Sequence, residues 1–379
     1  GFYANDTVFI GSNHVITFDN NLKYPIDSVG IGITGTPSAP ELQFLTASSS
    51  NKKLQINGSI VIGNTGLLSK SNSPSVTSVD TLDILRDFLN QGNAGRGVNI
   101  HPNVNRNIQL VFSGADSTRI LGEGNYTSIG NVRIFKSDSI WNTVNHSASF
   151  SSKFSNAVLT IPTVDFDLDA GMYVHDVNSD ITLSTNGDGD VFLGDLVGLT
   201  VRNGNVIFSD GLICGQNASV WLINGTLTIG NAKNENFQYE SVTTIDIAGT
   251  SKLKVAGSMR RKFATSSVDF RIRDNAQIEV MLNGATTNSS ERRAAFDFGE
   301  ANSHYTMTGN SKVIIYRPMD TSIAGEKDPD YLVSTSTSTV TGGTVQFGHP
   351  DSSLTVQPFN LIASVPFWNL DVANTYGKD

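Results

Sequence analysis

SVWLINGTLTIG at 219–230, TIDIAGTSKLKVAG at 244–257 and DFRIRDNAQIEVML at 269–282 can be written as rows whose starts lie 25 residues apart. In each row apolar side chains recur at every second position, as at Ile245 and Ile247 then Leu253 and Val255, or Phe270 and Ile272 then Ile278 and Val280. A period of two is the signature of a strand with one buried face. A small or Asn-rich corner divides each row into two such halves. AFDFGEANSHYTMTG at 295–309 reads as a fourth row at an offset of 26, with Phe296 over Phe270 and Asp297 over Arg271. Upstream the rows shorten: Leu199 and Val201 precede Val206 and Phe208, and Ile181 and Leu183 precede Val191 and Leu193.

Rows of roughly 18 to 26 residues suit one coil of a stacked solenoid better than hairpins joined by two-residue turns. One coil cannot bury its inward face alone, whereas stacking sets each Ile or Val above another and builds a continuous core. The expected fold is therefore all-β, a right-handed parallel β-helix running as one body over 1–379, with a multi-domain β-sandwich protein as its rival. In this register Asp246 lies beside Arg271 and Lys254 beside Glu279 on the outer face, about 4.8 Å apart. Asn203, Asn224, Asn275 and Asn310 fall at corners, where Asn tolerates left-handed backbone.

Two stretches depart from this pattern. SVDTLDILRDFL at 78–89 puts Val79, Leu82, Leu85 and Leu89 on one helical face, with acids in the first turn and Asn90 and Gly92 behind it. That predicts a short amphipathic helix near 79–90. Residues 320–341, with AGEKDPDY and a Ser/Thr run, read as a surface loop or a junction between coils.

Composition narrows the function. The 379 residues carry a net charge of −9, and 35 of them are Gly. Nothing here supplies a general basic field for nucleic acid. No stretch approaches the 18 or so apolar residues of a membrane-spanning helix, so direct insertion is not expected. If the chain is exported, its leader has already been removed. The single cysteine, Cys214, lies in an apolar run and reads as a buried, inert thiol, so disulfides hold nothing together.

Local catalytic signatures are weak. Gly30, Gly32 and Gly35 spell GxGxxG, but Pro37 and Pro40 follow, so no helix is there to receive a pyrophosphate. The six histidines (His14, His101, His146, His175, His304 and His349) are too scattered for a short zinc pattern. Asp165, Asp167 and Asp169 alternate with apolar neighbours, the spacing of a solvated strand face. Asp188 and Asp190 in NGDGD form the candidate metal turn, with an ordinary acidic turn as the alternative. No cofactor is called for.

The opening NDTVFIGSNHVITFDNN at 5–21 and the closing FWNLDVANTYGKD at 367–379 resemble recurring phrases of long Bacteroidota surface proteins exported by the type IX route. The resemblance implies a repetitive cell-surface stalk with gliding or adhesive function, an extracellular location, and a continuation of the chain beyond Asp379. It also implies O-glycosylation at Asp-Ser/Thr followed by a small or aliphatic residue, which marks Thr7, Ser28, Thr81, Ser117 and Ser139 as acceptors.

Together these readings point to a non-enzymatic surface scaffold or adhesin, with a β-helical polysaccharide lyase or glycoside hydrolase as the alternative. The candidate binding surface is a basic corner. Arg260, Arg261 and Lys262 end one coil, and Arg292 and Arg293 fall in the lengthened corner of the next. Five cations on one edge would engage acidic glycans or another surface protein, unless Glu235, Glu240 and Glu291 neutralise them.

Overall fold

The alternating stretches do form strands, but each full coil contributes three of them rather than two. A computed structural model of the chain describes residues 6–33, 39–44, 51–70, 80–92, 96–99, 108–114, 120–121, 126–128, 132–136, 157–162, 166–168, 172–174, 180–186, 190–196, 198–232, 234–285, 294–320, 328–350 and 358–373. All named elements are strands, and the strand pairings are parallel. Two compact units divide the chain, residues 1–189 and 190–379. Each is a stack of parallel β-coils, so the protein is an all-β solenoid.

In the second unit the first sheet contains Gly198–Arg202, Ser219–Ile223, Thr243–Ala248, Val268–Ile272, His304–Met307 and Thr337–Val340. The second sheet takes Asn205–Phe208, Thr226–Ile229, Lys252–Val255, Gln277–Val280, Lys312–Ile315, Thr344–Phe347 and Asn369–Val372. The third runs from Val191–Leu193 through Leu212–Cys214, Phe237–Tyr239, Met259–Arg261, Phe296–Phe298 and Tyr331–Val333 to Leu361–Ala363. The expected register is present where the rows are regular: Ile245 pairs with Phe270, Asp246 with Arg271, and Lys254 with Glu279. Inward columns such as Val220, Ile245, Phe270 and Tyr305 are at most 1% exposed.

The fourth row, however, was placed one sheet out. Phe296 pairs with Met259 in the third sheet, and the strand that continues above Phe270 is His304–Met307, with Tyr305 as the partner. The cause is an insertion between the second and third sheets. Only three residues separate Val255 from Met259, whereas fifteen separate Val280 from Phe296. Because all three sheets share one inward-outward alternation, AFDFG fits the first sheet in sequence as well as it fits the third.

Corners between the first and second sheets obey the expected backbone rule with one shift. Asn203 (φ 60°) and Asn224 (φ 54°) are left-handed, but in the next coils that conformation belongs to Gly249, Asp274 and Gly309, not to Asn275 or Asn310. Asn310 instead donates from its amide to Asn275 at 3.2 Å. Gly249 is required on two counts, since its φ is +69° and a Cβ would sit 2.0 Å from Asn224 Oδ1. That oxygen accepts the Thr250 amide at 3.0 Å, so the corner side chains form a ladder of their own.

The first unit has the same three-sheet plan. Its first sheet joins Thr7–Ile10, Ser28–Ile31, Ile60–Ile62, Phe88–Asn90 and Ile120–Leu121. The second holds Val15–Phe18, Glu41–Phe44, Leu67–Lys70, Gly97–Asn99 and Tyr126–Ser128. The third holds Lys53–Ile56, Asp80–Ile84, Ile108–Gly114 and Val132–Lys136.

The helix expected near 79–90 is absent: Asp80–Ile84 and Phe88–Asn90 are strands. Leu82 lies between Leu54 and Leu110, and Ile84 between Ile56 and Phe112. Burial against two neighbouring coils overrides the weak local preference for helix. Within 320–341, expected as a surface loop or a junction between coils, Tyr331–Val333 and Thr337–Val340 are strands of the stack, and 321–327 lie outside the described residues.

Candidate functional site

Of the basic corner, the two described arginines are not on the surface. Arg260 and Arg261 are 7% and 9% exposed, and Met259–Arg261 is buried at all three positions. Alternate residues of a strand face opposite ways, so this strand is covered on both faces. Arg261 donates from Nε to Asp297 Oδ1 at 2.8 Å and from Nη1 to the Ala264 carbonyl at 2.8 Å. The Gly299 amide donates to the same Asp297 oxygen at 3.0 Å.

Lys262 is the outermost of the three. Its Nζ pairs with Glu240 at 2.8 Å and lies 5.5 Å and 5.4 Å from the ring centroids of Phe192 and Phe263. Neutralisation by Glu240 is thus observed. Arg292, Arg293 and Glu291 lie outside the described residues. The sequence argument failed at Arg260 and Arg261 because it took charge as a mark of exposure, whereas a guanidinium with carboxylate and carbonyl acceptors can be buried.

Of the candidate metal turn, Asp188 lies outside the described residues and Asp190 is half-buried beside Gly211, where a Cβ would meet its Oδ1 at 2.3 Å. Asp165 and Asp169 also lie outside, and Asp167 falls within the strand Phe166–Leu168. Among the described residues, no three His, Cys, Asp or Glu side chains are grouped to hold a metal ion. Cys214 is buried, and burial pushes its thiol well above the ordinary range. No helix among the described residues is long and apolar enough to cross a membrane.

Three of the five glycosylation candidates can be placed, Ser117 and Ser139 being outside the described residues. Thr7 is exposed and pairs in register with Ser28. Ser28 is half-buried; its hydroxyl donates to Asp27 at 3.1 Å and accepts the Ser59 amide at 3.3 Å. Thr81 is half-buried on the third sheet.

Thr81 lines a pocket that the sequence did not disclose. In the first coil of the first unit the third-sheet strand is missing: only Ile26 bridges to Ile56, its amide donating to the Gln55 carbonyl at 3.1 Å. The preceding segment lifts away from the edge of Lys53–Ile56, held by Asn21 Oδ1, which accepts the Lys53 amide at 2.7 Å. A pocket of about 310 Å³ opens between them.

Residues 21–25 line it together with Asn51, Lys52, Lys53, Gln55 and Thr81. Lys23 Nζ sits 5.2 Å from the centroid of Tyr24, a ring that is 46% exposed. Lys53 Nζ reaches Asp83 Oδ2 at 2.7 Å. The one visible signal was the break in alternation after Phe18, with Lys23-Tyr24-Pro25 in it and the Lys52-Lys53 doublet one coil later.

Compared with known protein families, with curated proteins and with solved structures, the chain matches none.

Proposed function

We propose that the chain is a non-catalytic extracellular scaffold or adhesin that presents a stack of parallel β-coils at a cell surface. The supporting observation is the way outward acids in the described coils are engaged. Asp246 is gripped by Arg273 of the next coil at 3.0 Å and 3.1 Å, Asp269 by Arg271 within its own strand, and Asp83 by Lys53 of the neighbouring coil at 2.7 Å. The Asp246 and Asp83 pairs brace neighbouring coils, a structural use of charge suited to a stiff scaffold. The resemblance of the two terminal phrases supports a Bacteroidota cell surface and type IX export as the setting, and O-glycosylation of Thr7 as a modification.

The reading is tested by incubating the purified protein with pectin, alginate and β-glucan. New reducing ends and unsaturated uronate products should both be absent. Reproducible turnover that one Asp→Asn change abolishes would overturn the scaffold reading in favour of a polysaccharide lyase or hydrolase.

A further inference from the structure

We infer that the pocket beneath the segment 21–25 binds a carboxylate-bearing saccharide, a uronate unit at or near the end of an acidic glycan. The argument starts from the missing strand. Where every later coil of this sheet contributes a ladder strand, this one contributes a bridge at Ile26 and a side-chain acceptor from Asn21. Asn21 and Ile26 thereby take up the Lys53 amide, the Gln55 carbonyl and the Asn57 amide of the sheet edge while a recess is left open.

The lining chemistry then selects the ligand. At about 310 Å³ the recess is at the small end of ligand sites and suits one or two sugar rings. Amides at Asn21, Asn51 and Gln55 and the Thr81 hydroxyl offer donors and acceptors at the scale of sugar hydroxyls. Tyr24 presents an aromatic face for the apolar side of a pyranose. Of the three lysines that line this recess, Lys52 is 3% exposed and Lys53 is paired with Asp83, so the cation open to a ligand is Lys23. An ammonium is a compact point charge suited to a carboxylate. Lys23 has no carboxylate partner among the described residues; its Nζ rests over the Tyr24 ring, where an incoming carboxylate would meet cation and platform together.

This site does not depend on the scaffold reading. The test is calorimetric titration of the whole chain with oligogalacturonate, its methyl-esterified form and a neutral glucan oligomer of equal length. Expected are saturable binding to the free acid that weakens with added salt, and at least tenfold weaker binding of the ester and the neutral oligomer. Lys23→Gln and Tyr24→Ala should each cost about tenfold in affinity while leaving the melting temperature in place. Equal binding of the ester, no binding of the acid, or unchanged affinity in both variants would overturn the assignment. Cleavage of the bound oligomer would instead overturn the scaffold reading and leave the site standing.

Discussion

Between Ser219 and Val280 consecutive first- and second-sheet strands recur at 25 or 26 residues, as in Ser219 to Thr244 and Thr226 to Lys252, whereas Asp269 to His304 spans 35 and His304 to Thr337 spans 33. The regular coils fill their interior with aliphatic side chains: Val220, Leu222, Ile245, Ile247, Leu253 and Val255 are all fully buried. Rings enter with the third sheet, at Phe237 and Tyr239 of a regular coil as well as at Phe296, Phe298 and Tyr331, and at Phe270 and Tyr305 beside them. Phe270 lies 4.6 Å from Phe298 and 5.3 Å from Tyr305, and Phe296 lies 5.5 Å from Tyr331, centroid to centroid. Charge follows the same division. Outward charges of the regular coils, such as Arg271 and Arg273, face water, while the third-sheet strand Phe296–Phe298 is buried at all three positions and takes Asp297 inside with it. An outward position therefore means different things on different sheets: beside the first sheet Arg271 and Arg273 are exposed, whereas on the third Arg260, Arg261 and Asp297 are buried.

The sharpest way to break this contrast is to remove Arg261. Its side chain is 10% exposed and that of Asp297 is 0% exposed, so truncating the arginine leaves a buried carboxylate short of a strong partner. Loss of one member of a buried pair typically costs about 3–5 kcal/mol. Arg261→Ala should lower the urea midpoint by that measure, and the double change Arg261→Met with Asp297→Leu should recover most of it. If the single change is neutral, the strand is not interior and the contrast fails.

A second consequence belongs to the rings of the lengthened coils. Burial lifts the Tyr305 hydroxyl to about 12, and burial with the Tyr305 hydroxyl close by raises Tyr331 further. The neutral form is the one the fold favours, so this stabilisation is fully present below the ordinary tyrosine range. It is lost as pH rises from about 10 towards 12, at roughly 1.4 kcal/mol per pH unit for each hydroxyl that must ionise. Stability measured by denaturant should stay level to about pH 9 and then fall. Tyr305→Phe should flatten that fall; an unchanged slope would mean that the Tyr305 hydroxyl is not held neutral by the core.

What could be read in the sequence follows the same boundary. Fold class and the register from Ser219 to Glu279 were legible because alternation and a constant offset are local and repeated. The third sheet was not. Its strands, such as Phe237–Tyr239 and Met259–Arg261, are only three residues long and give too little alternation to stand out. The stretch at 80–90 was misread for a related reason: Leu82 and Leu89 fit a helical face in isolation, and only the partners Leu54 and Leu110 decide for strand. The pocket at 21–25 escaped because it is made by the absence of a strand, which only the finished stack reveals. Arg261 was misplaced because its burial depends on a partner, Asp297, that only the stacking of the third sheet brings beside it.

The smallest expected effect lies on the exposed side of the comparison. Asp246 meets Arg273 through two hydrogen bonds at 3.0 Å and 3.1 Å, the doubled geometry that makes a guanidinium–carboxylate contact directional. Asp246 Oδ1 accepts from Nε, and the added charge of the carboxylate raises the Arg273 guanidinium still further above its already high range, so pH has no hold on the cation. Yet the Arg273 side chain is 47% exposed, and water and salt screen what the geometry offers. Exposed pairs of this kind are worth about 0.2–1 kcal/mol. Arg273→Ala should therefore shift the denaturation midpoint by less than about 1 kcal/mol, and the shift should shrink as salt rises from low to high. Asp246→Ala should match it, and the double variant should lose little more than either alone. A loss comparable to that of Arg261→Ala would place this face inside the structure, and the distinction between the exposed face of the first sheet and the buried third sheet would have to be abandoned.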